Sequence, residues 1–122
     1  MNYGKELIID LHNCNIENFN RKALKIYFKE LCNLIDMQRA KLVFWDDVGV
    51  PEEKKQTQPH TTGTSAVQFI LTSNVTIHTL DLMERVYVNI FSCKDFDAKI
   101  AEKFTVEYFK GTIIQSLTVD RI

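Results

Sequence analysis

The chain has 122 residues, of which 45% are hydrophobic and 25% charged, and its formal net charge is −1 at pH 7. A chain of this length and apolar content is expected to fold as a single domain, residues 1–122, with a core that needs no disulfide bonds. Its near-zero net charge argues against nucleic acid or an anionic membrane surface as a partner.

The hydropathy pattern predicts neither a membrane span nor a secretion signal. No apolar run reaches the ~18 residues that a membrane helix needs, and the opening residues, MNYGKELIID, lack the apolar segment of a signal peptide. A cytoplasmic protein is therefore expected. The three cysteines, an odd number without a CxxC pair, predict reduced thiols, no disulfide framework and no metal site.

The first half of the chain is predicted to form a strand, a helix and a second strand, followed by a long loop. Residues 6–11 are mostly aliphatic and favour a strand, and residues 41–45 favour another. Between them, residues 19–37 carry apolar side chains at helical spacing, which predicts an amphipathic helix. Residues 46–63 are polar, contain both prolines and have no period. A loop of this length in a compact domain usually covers a functional site or is partly disordered.

The second half is predicted to contain three central strands, a second helix and a last strand. The three strands cover residues 66–71, 75–79 and 86–91. Residues 96–109 repeat an apolar side chain every four positions, which predicts a helix ended by Gly111, and residues 112–119 favour a last strand. The order β-α-β-β-β-β-α-β predicts an α+β fold, a two-layer sandwich in which an antiparallel sheet carries both helices on one face.

Three polar residues at the ends and turns of the central strands are candidates for chemistry. Ser73, His78 and Cys93 offer a hydroxyl, an imidazole and a thiol, which suit nucleophilic attack and proton transfer if they converge on one pocket. Taken one at a time, a turn serine, a hydrogen-bonded strand histidine and a core cysteine are the commoner explanations. The joint spacing of the three favours the functional interpretation. His12 and His60 lie in polar stretches and are expected to be solvated.

The motifs that hold these residues resemble a known family. The segment TSNVTIHT contains a Ser-x-x-x-x-His-Thr pattern, and YVNIFSC ends on a Cys fifteen positions after that His. Both patterns and their spacing resemble the prokaryotic S-adenosylmethionine decarboxylase proenzymes, which are pyruvoyl-dependent. The opening GKELIIDLHNCN is similar to the N-terminal strand of that family, and the Gly63-x-Ser65 pattern is similar to its Gly-Val-Ser-Gly segment. The resemblance covers nearly the whole chain and implies the fold of that family.

The resemblance implies a precursor that makes its own cofactor. Ser73 would attack the carbonyl of Thr72, and His78 would then remove the α-proton of residue 73, which cleaves the chain between residues 72 and 73. A serine at the position of Ser65 takes part in this processing. Residue 73 would become a pyruvoyl group, a ketone that forms a Schiff base with the substrate amine and accepts electrons as CO2 leaves. Cys93 would return a proton to the α-carbon of the product.

Departures from the family pattern leave the substrate open. The chain reads Thr-Ser-Asn at residues 72–74 and Leu-Asp-Leu at residues 80–82, where the family has Glu-Ser-His and Trp-Pro-Glu. That Glu accepts hydrogen bonds from the ribose of S-adenosylmethionine, which a leucine cannot do. The family's adenine-stacking aromatic is also missing from residues 46–63, so Trp45 or Asp81 would have to compensate. A relative that decarboxylates arginine or ornithine, and a non-cleaving binding or regulatory module, therefore stay alternatives to an S-adenosylmethionine decarboxylase of spermidine biosynthesis.

Assembly as a homodimer is expected on two grounds. Prokaryotic members of the family pair two protomers so that residues from both complete each site. Leu80, Leu82 and Met83 also form an apolar cluster in a connection where polar residues are normal, and such clusters mark interfaces. The alternative is that this cluster folds back onto the core of its own chain. The expected partners are a second copy of the chain and a small-molecule amino-acid substrate.

Overall fold

The computed structural model describes residues 2–122 and contains one six-stranded sheet and two helices. The strands are β1 (Gly4–His12), β2 (Arg39–Trp45), β3 (Gly63–Ile70), β4 (Ser73–Leu80), β5 (Arg85–Ser92) and β6 (Thr112–Arg121). The helices are α1 (Arg21–Leu34) and α2 (Ala98–Phe109), and short 3-10 turns lie at Ile16–Asn18 and Glu52–Lys54. Every predicted helix and strand is present.

The sheet is antiparallel throughout. Its order is β2-β3-β4-β5-β1-β6, and each strand runs opposite to its neighbours. The three predicted central strands, β3 to β5, form a meander. Ile70 pairs with Ser73, so Leu71 and Thr72 alone make the turn between β3 and β4. The predicted α+β class is confirmed, and the expected cleavage point lies at the end of this turn.

Both helices pack on one face of the sheet. Alternate residues of three strands point into this core, namely Leu7, Ile9, Leu11, Val75, Ile77, Val86, Val88 and Ile90. The helices cover them with Leu24, Tyr27, Phe28, Leu31, Ala101 and Phe109. The hydroxyls of Tyr27 and Thr105 hydrogen-bond at 2.8 Å and join the two helices. This covered side is called the helix face below, and the opposite side is called the open face.

The helices are shorter than their apolar patterns predict. α1 begins at Arg21, because the side chain of Asn20 accepts a hydrogen bond from the backbone N–H three residues on and caps the helix. It ends at Leu34, and Asp36 then takes a left-handed φ of 57°. Asp97 caps α2 in the same way, which moves its start two residues past the predicted one. Neither helix in residues 2–122 is long and apolar enough to span a membrane.

Gly111 lies just past the end of α2 and also allows close packing. The helix ends at Phe109, Lys110 then takes a left-handed φ of 51°, and the N–H of Gly111 donates to the carbonyl of Val106 at 3.3 Å. A Cβ at Gly111 would lie 2.6 Å from the Sγ of Cys14, closer than real side-chain contacts. The glycine therefore allows the chain to enter β6 directly against the buried thiol.

The loop of residues 46–62 is anchored at its start. Arg21 of α1 donates two hydrogen bonds, each of 2.7 Å, to the carboxylate of Asp46, whose side chain is only 5% exposed. These bonds lower the pKa of Asp46, so the ion pair persists at neutral pH. Further along, Asp47 accepts a hydrogen bond from the backbone N–H of Gln56 at 2.7 Å. The predicted long loop is thus tied both to α1 and to itself.

Candidate active site

Ser73 and Cys93 lie side by side at one end of the sheet. Ser73 is the first residue of β4, and Cys93 directly follows the neighbouring β5. Ser73 is 6% exposed, and its Oγ accepts a hydrogen bond from the backbone N–H of Cys93 at 2.9 Å. The Sγ of Cys93 lies 3.7 Å from the Oγ1 of Thr72. Two of the three chemical candidates and the residue before the expected cleavage point are therefore in contact.

The three thiols of the chain differ in acidity. Hydrogen bonds from the hydroxyl of Ser73 and then from Thr72 lower the pKa of Cys93 to about 7. Cys14 and Cys32 are buried in the core, and burial raises the pKa of each to about 11. Among the three, Cys93 is the thiol that can exchange a proton near neutral pH.

Ser65 and His78 form a second pair on the open face. They are directly opposed on β3 and β4, and the Oγ of Ser65 lies 2.7 Å from the Nδ1 of His78. The same cross-strand row continues to Trp45 on β2, which pairs with Ser65, and to Tyr87 on β5, which pairs with His78. Because Nδ1 is engaged by the serine, proton transfer between His78 and a substrate would use Nε2.

The two pairs are far apart within one chain. His78 is five residues along β4 from Ser73, which corresponds to about 17 Å. Their side chains also lie on opposite faces, because Ser73 belongs to the buried row of β4 and His78 to the exposed row. The expectation that Ser73, His78 and Cys93 converge on one pocket is therefore wrong for a single chain. His78 also lies within β4 rather than at its end.

A cleft adjoins each pair. The cleft at the Ser65–His78 pair has a volume of about 430 Å³ and is lined in addition by Trp45, Gln56, His60, Thr61 and Leu80. The cleft at Cys93 has a volume of about 420 Å³ and is lined in addition by Tyr3, Lys5, Asp95 and Asp120. His60 is exposed, as expected for a solvated residue, yet it forms part of the first wall.

Comparison with known proteins identifies the family. A family model described as S-adenosylmethionine decarboxylase matches residues 5–122. This chain belongs to the S-adenosylmethionine decarboxylase family. The crystal structure of adenosylmethionine decarboxylase from Aquifex aeolicus shares the fold, with a TM-score of 0.77 and 15% sequence identity, and the match covers 98% of this chain and 91% of that chain. No curated protein sequence matches the chain.

Residues 80–82 depart from the S-adenosylmethionine decarboxylase pattern. The side chains of Leu80 and Asp81 line two different clefts. Leu80 lines the cleft at His78. Asp81 instead lines a separate cleft of about 570 Å³, where burial raises the pKa of its carboxyl. Its Oδ1 is buried there without a hydrogen-bond partner among residues 2–122. Trp45 and Asp81 are the two residues that could replace the missing family side chains. Trp45 shares the cleft of His78, whereas Asp81 does not.

Tyr3 and Trp45 line the two clefts, although neither residue belongs to the S-adenosylmethionine decarboxylase motifs. Tyr3 lines the cleft at Cys93 and contributes to its lowered pKa. No local sequence signal marks Tyr3, because the antiparallel pairing of β1 with β5 brings it there. Trp45 carries a weak signal, since it is the one tryptophan of the chain and ends a predicted strand.

Proposed function

We propose that this chain is a self-processing, pyruvoyl-dependent S-adenosylmethionine decarboxylase that cleaves itself between Thr72 and Ser73. The observation that carries the proposal is the contact between Ser73 and Cys93 at the β3–β4 turn of a chain that belongs to this family. Thr72 is the second of the two turn residues, and its carbonyl directly precedes Ser73. The hydroxyl of Ser73 is already hydrogen-bonded to the backbone N–H of Cys93.

Ser73 is the proposed nucleophile of the processing reaction. The N–H of Cys93 donates to its Oγ, which restricts rotation of the Ser73 side chain. Attack on the carbonyl carbon of Thr72 forms a C–O bond and breaks the C–N bond. The product is an ester between Thr72 and Ser73, with the amine of residue 73 released.

Completion of cleavage needs a base at the α-carbon of residue 73. The family resemblance assigns this role to His78, whose ring is oriented by the hydroxyl of Ser65. Removal of the α-proton expels the carboxylate of Thr72, and addition of water with loss of ammonia leaves a pyruvoyl group. The surroundings fit such a group, because the N–H of Cys93 already donates to the oxygen of residue 73. The pyruvoyl ketone supplies an electrophile for the substrate amine and a sink for the electrons of the breaking C–C bond.

Cys93 is the proposed proton donor to the α-carbon of the product. In the precursor, where its pKa is about 7, the thiol and thiolate forms of Cys93 coexist at neutral pH. The donor must be protonated to act. Processing removes the Ser73 hydroxyl, the largest cause of the lowered pKa, so turnover should fall as the pH rises through a Cys93 pKa that is higher than in the precursor.

S-adenosylmethionine is the proposed small-molecule substrate, and its decarboxylated form would supply aminopropyl groups for spermidine. The family match supports this substrate, and no comparison favours arginine, ornithine or a non-cleaving regulatory role. A cytoplasmic location and the lack of a nucleic-acid partner stay predictions from composition.

A homodimer would bring the two separated pairs together. The open face carries exposed apolar side chains on three strands, namely Val43, Phe69, Leu117 and Val119. An antiparallel sheet with one solvated face normally carries polar residues there, so this composition favours a covering layer. In the apolar cluster that follows β4, Leu82 is 60% exposed, which argues against this side chain folding back onto the core of its own chain. Two copies related by a two-fold axis, open face to open face, would set Ser65 and His78 of one protomer close to the sheet end of its partner that carries Ser73 and Cys93.

Intact-mass spectrometry of the purified protein tests the proposal. Two fragments are expected, residues 1–72 and 73–122, with the second lighter than its sequence mass by one ammonia molecule. Ser73→Ala is the matched control, and it should give one full-length species. A wild-type chain that also stays full-length after prolonged incubation would contradict self-processing.

A further inference from the structure

The outer edge of β6 is uncovered along its whole length. β6 is the last strand of the sheet and pairs with β1 on one side, so its other side has no strand neighbour among residues 2–122. All ten of its residues are exposed, so the helices leave both of its faces accessible to solvent. The backbone N–H and C=O groups along such an edge are free to pair with another strand.

β6 lacks the features that normally keep an exposed edge from pairing. Its residues 112–119, TIIQSLTV, contain no charge and no proline. A bulge at Ile114 lies near its start and leaves residues 115–121 regular. The opposite edge strand, β2, is shorter and carries the cations Arg39 and Lys41. Natural sheets protect free edges with short strands and charged side chains, especially lysine. The composition of β2 is therefore typical of a free edge, and that of β6 is typical of a covered one.

The sequence of β6 is complementary to itself. Two antiparallel copies related by a two-fold axis at Thr118 would pair residues 115–121 of each chain over their full length. The cross-strand pairs in this register are Thr118–Thr118, Leu117–Val119, Ser116–Asp120 and Gln115–Arg121. Apolar side chains meet apolar ones, hydroxyls meet a hydroxyl or a carboxylate, and no like charges are opposed. Cross-strand pairs of these kinds stabilise a sheet.

We infer that β6 is a contact between two copies of this chain, which pair edge to edge into one continuous antiparallel sheet. A second copy fits this edge because the strand matches its own sequence about a two-fold axis. Leu117 and Val119 also lie on the open face, so the pairing joins the exposed apolar surfaces of both chains. The contact uses the rim of the sheet and leaves the open face free. It is therefore separate from the face-to-face dimer proposed above and does not depend on self-processing.

Cross-linking through introduced cysteines tests this contact. In a Cys93→Ser background, which removes the one cysteine outside the core, Thr118→Cys should give a covalent dimer on mild oxidation or with a short bismaleimide. Thr112→Cys is the matched control, because it lies in the same strand with its two copies about 40 Å apart and should not cross-link. Thr118 pairs with the buried Leu7 and so lies on the helix-face side, where stacking of two open faces would not bring its copies together. Absence of a covalent dimer from folded Thr118→Cys, or equal yields from both variants, would overturn the inference.

Charge repulsion provides a second test. Thr118→Lys places two ammonium groups opposite each other, so it should halve the mass measured by sedimentation at micromolar concentration. Thr112→Lys adds the same charge away from the axis and should leave that mass unchanged. Circular dichroism shows whether each variant is folded. Equal masses in the wild type and both variants, or an equal fall in both, would show that β6 is not a contact between copies.

Discussion

Cys93 owes its acidity to two hydroxyls that the β3–β4 turn brings to it. Ser73 and Thr72 both hydrogen-bond to the thiol and stabilise its thiolate. Cys14 has no such surroundings, and burial raises its pKa to about 11. The same side chain is therefore inert in the core and reactive at the turn.

Alkylation by iodoacetamide should single out Cys93 in the full-length precursor. The thiolate is the reacting form, so the rate should rise as the pH increases through about 7 and then level off. Cys14 and Cys32 should stay unmodified in folded protein because they are buried. Peptide mass spectrometry gives the rate at each residue.

The hydroxyls near the thiol supply the control for that experiment. Ser73→Ala removes the largest contribution to the lowered pKa and also prevents cleavage, so its midpoint for Cys93 should move to higher pH. Thr72→Val should have a smaller effect in the same direction. A midpoint near 8.5 in the uncleaved wild-type precursor, the ordinary value for a cysteine, would show that the turn does not activate this thiol.

Substitution of the three chemical residues should separate their roles. Ser73→Ala should abolish cleavage because no nucleophile remains. His78→Ala should stall the precursor at the ester, from which hydroxylamine would still release the fragments. Cys93→Ser should impair turnover more than processing, since a hydroxyl is a far weaker acid than a thiol. Full decarboxylation by Cys93→Ser, with the correct product, would remove Cys93 from the proposed role.

At the scale of elements, β3 sets the distance between the two pairs. Ser65 lies near the start of β3, and Ser73 follows the turn at its other end. The two serines are eight positions apart in the sequence, and this separation corresponds to the length of β3 and its turn, so they are not in contact. The loop of residues 46–62 enters β3 on the side of Ser65, which explains why it borders the cleft of His78 and not that of Cys93.

The Arg21–Asp46 ion pair should restrain this loop. Arg21→Gln leaves the carboxylate of Asp46 without its paired donor, so the loop should open more often. Trypsin should then cleave after Lys54 and Lys55 several-fold faster, as followed by gel electrophoresis or mass spectrometry. Lys25→Gln makes the same charge change on an exposed position of α1 and should leave the cleavage rate unchanged. Equal rates in both variants would show that the ion pair does not hold the loop.

In the whole molecule, a functional unit of two chains would explain why the Ser73–Cys93 pair and the Ser65–His78 pair are separated within one chain. A single chain presents a nucleophile with a thiol at one end of the sheet and a hydroxyl–imidazole pair about 17 Å away on the open face. A two-fold axis duplicates both pairs and can form two complete sites from one interface. The exposed apolar residues of the open face are consistent with that arrangement.

Mixed dimers test the shared site. Ser73→Ala retains its imidazole and His78→Ala retains its nucleophile, so neither alone should complete processing. After co-refolding, the mixture should release residues 1–72 from the His78→Ala chain, because the partner provides the missing base. The matched control replaces the first chain with the double variant Ser73→Ala/His78→Ala, which offers no base and should give no rescue. A monomer in sedimentation at micromolar concentration with full activity would contradict the dimer and the shared site.

Local patterns in the sequence were enough to predict the architecture. Alternation along β1, β4 and β5 and the helical repeats of α1 and α2 are short-range properties, so they indicate the element order and the α+β class without knowledge of contacts. The spacing of Ser73, His78 and Cys93 likewise identified the family to which the chain belongs. Boundaries were less accurate, because capping side chains such as Asn20 end the helices inside their apolar patterns.

Only the tertiary structure decided which of these residues meet. Pairing of β4 with β5 joins Ser73 to Cys93, and the alternation of a strand places His78 on the opposite face, where Ser65 becomes its partner. The acidity of Cys93 and the position of Trp45 on the cleft of His78 depend on side chains from distant segments. Such contacts arise from long-range strand pairing, and no local pattern of residues encodes the distance between them.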